Sequence, residues 1–175
     1  ARNALLKVIQ SIRFLARQGL PLRGHSESSG NLVELLKLRG ADVADLHTWL
    51  SRKAKWTSHD VQNEILKIMA HMILRSIASD IQKARWYSLI VDETTDVSVK
   101  KTSVWLRYVS EEFGVFEDFV GYYETAETDS ATLVKTINDV LLRLCLSLND
   151  CRGQCYDGAS NMAGRLSGVQ ALIRE

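Results

Sequence analysis

The chain has 175 residues, 46% of them hydrophobic and 25% charged, with one proline, Pro21. This is enough apolar material for one ordinary core, and it excludes a disordered or low-complexity chain, since about 100–200 residues of such composition make one domain. The net charge of +1 conceals a division: residues 1–85 carry fourteen Lys or Arg against seven Asp or Glu, and residues 86–175 carry eight against fourteen. A basic front suits phosphates and an acidic rear suits cations where the charges cluster; dispersed, both are solvated surface.

Apolar residues from Ala4 to Leu15 recur at helical spacing, and Gly19 with Pro21 supplies a stop. Residues 22–30 read as a polar loop. A short helix is predicted from Asn31 to Leu38, closed by Gly40, and Asp42 is placed to cap another through Leu46, Trp49 and Leu50. Thr57 or Ser58 then caps a long amphipathic helix running to about Lys83, in which Val61, Ile65, Ile68, Met69, Met72, Ile73 and Ile77 return at three- and four-residue steps. Its apolar stretch from Ile65 to Leu74 is broken by Lys67 and His71, far short of the roughly 18–20 residues of a membrane span. No secretory signal is expected ahead of the first helix pattern at Ala4–Leu15. Because the chain opens on Ala1 and is at once helical, a piece of a longer protein is expected.

After Arg85 the period changes from helical to extended. Trp86–Val91 is predicted as a buried strand ending at Asp92, Ser103–Val109 as a second and Val115–Tyr123 as a third. Asp129-Ser130 caps a helix through Leu133, Ile137, Val140, Leu141 and Leu144. Cys151–Tyr156 reads as a short fourth strand and Asn161–Ile173 as a final helix. Helices followed by strand, strand, strand, helix, strand and helix define an α/β fold with a mixed sheet.

Cys145, Cys151 and Cys155 have no CxxC or HxxxH partner set, so Cys151 and Cys155 are expected to pack as small hydrophobes in a reducing compartment rather than to bind zinc. His25, His47, His59 and His71 show no ligand spacing, and Trp49, Trp56, Trp86 and Trp105 are expected in the core.

Two segments carry chemistry. Ser88-Leu89-Ile90-Val91-Asp92-Glu93-Thr94-Thr95-Asp96 and Cys155-Tyr156-Asp157-Gly158-Ala159-Ser160-Asn161-Met162 each deliver an aspartate from an extended run, and a hard divalent cation is held by oxygen ligands on rigid elements. By strand alternation Glu93 points away from Asp92, Asp96 is a loop cap or a supporting group, and Asn161 either starts a helix or contacts Asp157. Leu89–Glu93 also has the look of a Walker B segment, but no GxxxxGK[ST] loop precedes it. A haloacid dehalogenase phosphatase would need a second aspartate where Thr94 stands. Asp157–Asn161 alone would read as a turn capping the last helix.

Taken together, the first segment, the strand Leu106-Arg107-Tyr108-Val109, the stretch from Cys151 to Met162 and the upstream Ala54-Lys55-Trp56-Thr57-Ser58 closely resemble the hAT (hobo/Activator-like) transposases, in the branch related to MYM-type zinc-finger proteins. The resemblance covers essentially the whole chain. It implies an RNase H-like (retroviral integrase-like) mixed sheet, incomplete here, over residues 86–175, with residues 1–85 as a helical region leading into it. It further implies an Asp, Asp, Glu triad in which Asp92 and Asp157 are the first two carboxylates and metal ligands. Two Mg²⁺ or Mn²⁺ ions, about 3.5–4 Å apart in such sites, would then serve DNA cleavage and strand transfer. The third Glu of the family lies beyond a helical insertion that the chain does not reach, so this piece alone is expected to be inactive. Cys155 stands where the family has a glycine. DNA as partner, self-association of the full-length protein, a nuclear location and no membrane follow from the same resemblance. A domesticated relative that keeps the fold as a DNA- or protein-binding regulator is the alternative.

Overall fold

Helical spacing of apolar residues becomes four helices at the front of the chain in the computed structural model, which describes residues 1–26, 29–52, 55–96, 99–125, 127, 129–157, 159–164 and 167–174. Ala54, Gly158 and Glu175 lie outside the described residues, as do the side chains of Asp96 and Ser160. The chain divides into two compact units, Ala1–His71 and Met72–Glu175. Helices α1 (Arg2–Arg17), α2 (Asn31–Asp42) and α3 (Ala44–Leu50) belong to the first, and α4 (His59–Ala84) runs through the division.

In the first unit Val8, Ile12, Leu32, Leu36 and Leu46 form a closed apolar core. Each such side chain contributes about 1.5–3 kcal/mol when fully buried. Arg39 of α2 donates to the Ser11 hydroxyl and to the Lys7 carbonyl of α1, at 2.9 and 3.2 Å, which satisfies polar atoms at the edge of that core. Two expectations change here. Gly40 does not end α2 but sits buried within it, close to the backbone of His47 in α3. Asp42 is thereby drawn into the last turn of α2, and Val43 takes the cap position of α3. α4 begins just after Ser58, whose carbonyl accepts the Gln62 N–H at 2.9 Å.

The second unit is built on a four-stranded sheet in the order β3-β2-β1-β4. β1 (Tyr87–Asp96), β2 (Val99–Val109) and β3 (Val115–Glu124) form an antiparallel meander, and β4 (Cys151–Tyr156) adds parallel to β1. A parallel neighbour requires a crossover, which α5 (Ser130–Arg143) supplies. Its cap is the predicted one: Asp129 accepts the Thr132 N–H at 3.0 Å, and that bond holds its carboxyl below the ordinary value. Leu133, Ile137, Val140 and Leu141 of α5 pack on Leu89, Val91, Val104 and Leu106 of the sheet, together with Ile77 and Ile81 of α4. Tyr87 is also sealed there, and its hydroxyl donates to the Ser147 carbonyl at 2.9 Å; burial pushes the phenol well above its ordinary pKa.

β1 runs on past Asp92 to Asp96 because β2 starts at Val99, four residues earlier than its apolar run implies, and pairs with all of β1. The last helix is two single turns, α6 (Ser160–Ala163) and α7 (Val169–Leu172). Gly164 and Gly168 lie between and beside them, so close that a side chain at Gly168 would sit 2.4 Å from the Gly164 nitrogen. That approach bends the chain where apolar periodicity alone predicts a continuous helix. Three of the four tryptophans are not core residues: Trp49 is buried, but Trp56, Trp86 and Trp105 are 50%, 39% and 38% exposed. Trp86 lies between the guanidinium groups of Arg85 and Arg152, at 4.3 and 3.7 Å from its ring centre, and Trp56 packs edge-on against Trp49.

Candidate active site

The site is set by strand alternation in β1. Tyr87, Leu89 and Val91 turn into the core under α5, which sends Ser88, Ile90 and Asp92 to the opposite face of the sheet, where Asp92 is exposed. β4 brings the second carboxylate. Its parallel register pairs Leu89 with Gln154, Ile90 with Cys155 and Val91 with Tyr156. One residue beyond that last pair stand Asp92, within β1, and Asp157, just past the end of β4, so the register brings two residues 65 positions apart in sequence to the same level of adjacent strands. Both are exposed.

Asp157 ends its strand in a turn in which Oδ1 accepts the Ala159 N–H at 3.3 Å. Just before it, Tyr156 packs against the core and its hydroxyl donates to Gln154 Oε1 at 2.9 Å; burial raises its pKa, so it remains a neutral donor. Gly153 stands where a side chain would meet the Ser88 hydroxyl 2.8 Å away on the neighbouring strand. Among the described residues no three His, Cys, Asp or Glu side chains converge to hold a metal ion. Asp92 and Asp157 are a pair, and as exposed hard-oxygen donors on adjacent strands their chemistry fits a divalent cation.

Glu93 turns away from Asp92, as alternation requires, and is half-buried. Its Oε2 accepts a hydrogen bond from Asn161 Nδ2 at 2.8 Å. Sequence reasoning placed Asn161 at a helix start or against Asp157; its tie to a residue 68 positions away has no local signature. Cys155 corrects another expectation. It shares the face of Ile90 and is exposed, whereas Cys151 is half-buried with its thiol pKa raised by burial. On the same face Trp105 packs on Phe119, and Phe119 on Tyr122, with ring centres 5.0 and 4.9 Å apart.

A β-meander, a crossover helix and a parallel fourth strand beside the first make this an RNase H-like, transposase-derived domain of the hAT-related class, with one aspartate within β1 and one just after β4. The chain belongs to the DUF4371 family, the ZMYM1/FAM200 RNase-like domain, whose model matches residues 1–168. It is also similar to the 52 kDa repressor of the inhibitor of the protein kinase from Homo sapiens and from Mus musculus, each 21% identical over 99% of the chain. The chain spans about a quarter of the length of these curated relatives, 25% in each case. No helix among the described residues is long and apolar enough to cross a membrane.

Proposed function

We propose that this chain is the first part of a DNA transposase catalytic domain, with Asp92 and Asp157 as two carboxylates of a divalent-metal site that cleaves DNA and joins strands. The observation that supports this reading is the register of β1 and β4, which pairs Val91 with Tyr156, the residues immediately before the two aspartates. Asp92 is held by its pairing with Ser103 of β2, next to the last β4 pair at Val91, and the Ala159 N–H orients one oxygen of Asp157. Mg²⁺ or Mn²⁺ bound by this pair would activate a water or a DNA 3′-hydroxyl and offset charge on the leaving oxygen. The chain's own part is to fix two anionic oxygen donors on a rigid sheet at the solvent-facing side, where a phosphodiester has access. DNA is the partner under this reading, self-association belongs to the full-length protein, and the nucleus is where the substrate is met.

A second reading, a domesticated regulator that binds DNA or protein without cutting, is favoured by the name of the relatives, which are repressors. Cleavage of DNA bearing transposon ends by the full-length protein in Mn²⁺ or Mg²⁺ separates the two. Metal-dependent cutting that falls by more than about 100-fold in Asp92→Asn and in Asp157→Asn supports the enzyme, since losses of 10–100-fold are typical of residues that merely support a metal site. DNA binding by the wild type with no cutting in either metal replaces it with the regulator.

A further inference from the structure

The ladder between β1 and β4 ends at Val91 and Tyr156, one residue short of both aspartates. Asp157 therefore lies just outside the hydrogen-bonded part of the sheet. The α6 turn that follows has four residues, too few to hold a helix in place by itself. Met162 anchors it, fully buried in the core. Apolar contact fixes depth but not direction, because dispersion and burial are not directional.

Direction comes from Asn161. Its carbonyl accepts the Ser130 hydroxyl at 2.8 Å, which joins α6 to the first turn of α5. Its side-chain amide donates to Glu93 Oε2 at 2.8 Å, which joins α6 to the β1 residue next to Asp92. The other Glu93 oxygen is buried and has no hydrogen-bond partner among the described residues, so the bond from Asn161 is the one that satisfies this carboxylate. A half-buried carboxylate with one donor holds that donor firmly, because losing it leaves a second oxygen without a partner away from water.

We propose that Glu93 and Asn161 are positioning residues: their hydrogen bond, passing from the core face of β1 to the turn after Asp157, sets the spacing of the Asp92 and Asp157 carboxylates. This rests on the reading of those aspartates as a metal-binding pair. Sites of that kind need their ligands held within about 0.5 Å by surrounding hydrogen bonds, and the sheet ladder stops before it can do so for Asp157.

The test uses the full-length protein and reads Mn²⁺ affinity by titration together with amide hydrogen exchange across residues 159–162. Asn161→Asp sets two acids against each other, whereas Glu93→Gln combined with Asn161→Asp reverses donor and acceptor and keeps one carboxylate. Asn161→Asp is expected to weaken Mn²⁺ binding about tenfold or more and to speed exchange, and the paired change to recover both to within about threefold. Wild-type affinity in Asn161→Asp, or no recovery in the paired variant, overturns the proposal. Should the wild type bind no Mn²⁺, the metal reading fails on its own. The exchange data then still decide the tie: protection lost in the single variant and regained in the paired one supports it, and unchanged protection overturns it.

Discussion

The two faces of β1 differ in what they are made to do. On one, Tyr87, Leu89 and Val91 are at most 2% exposed beneath α5, and the face continues into the half-buried Glu93. On the other, Ser88 and Ile90 are half-buried and Asp92 reaches solvent. β4 repeats the division: Tyr156 packs into the core while Cys155 and Asp157 are exposed. One strand thus carries core packing on alternate residues and leaves those between, the proposed metal ligand Asp92 among them, facing away from the core, because successive side chains point to opposite faces. The rigid face is what gives the reactive face its geometry.

If that division holds, substitutions on the two faces separate into different observables. The largest effect belongs to the exposed side and is functional: Asp92→Asn abolishes metal-dependent cutting while leaving the denaturation midpoint unchanged, which cleavage and urea titration on the same sample check. A marked fall in stability would instead make Asp92 part of the framework. On the core side, Leu89→Ala should cost about 2–5 kcal/mol by leaving a cavity under Ile137 and Leu141, and Ile90→Ala, one residue away but half-buried, about 1 kcal/mol. Equal losses in urea titration would show the two faces to be packed alike.

The cysteines sharpen the same contrast more gently. With a maleimide at neutral pH, exposed Cys145 and Cys155 should react first, and Cys151, half-buried with its thiol pKa raised by burial, at least about tenfold more slowly. Mass spectrometry of the labelled peptides gives the order. The smallest effect is expected at Asp129. Its pKa is lowered by the bond from Thr132, so the cap stabilises α5 above the ordinary carboxylate value of 3.8, and that contribution is lost as pH falls through the lowered value. Asp129→Ala should melt slightly below the wild type at pH 7, and the difference should close as pH falls through the lowered Asp129 value. A gap that persists there would mean the carboxylate charge is not what caps the helix.

Periodicity, caps and composition were sufficient for much of this. The helical run from Val61, the extended runs around Val91 and Val104, and the Asp129 cap are local properties of the chain, written in the spacing of apolar residues and in one short polar side chain before a helix. The two aspartates stood out for the same reason, each following an apolar or β-prone run, although β1 itself continues past Asp92. Local spacing does not show which residues come to lie against one another. Trp56, Trp86 and Trp105 are exposed because of what lies beside them, and Gly164 with Gly168 splits a predicted helix by backbone contact. The pairing of Val91 with Tyr156, which makes neighbours of Asp92 and Asp157, and the bond from Asn161 to Glu93 exist only once β4 has docked on β1. Sequence alone determined which elements form, through short-range preferences of backbone and side chain; the tertiary structure decided their register, because long-range contacts depend on how the whole sheet closes.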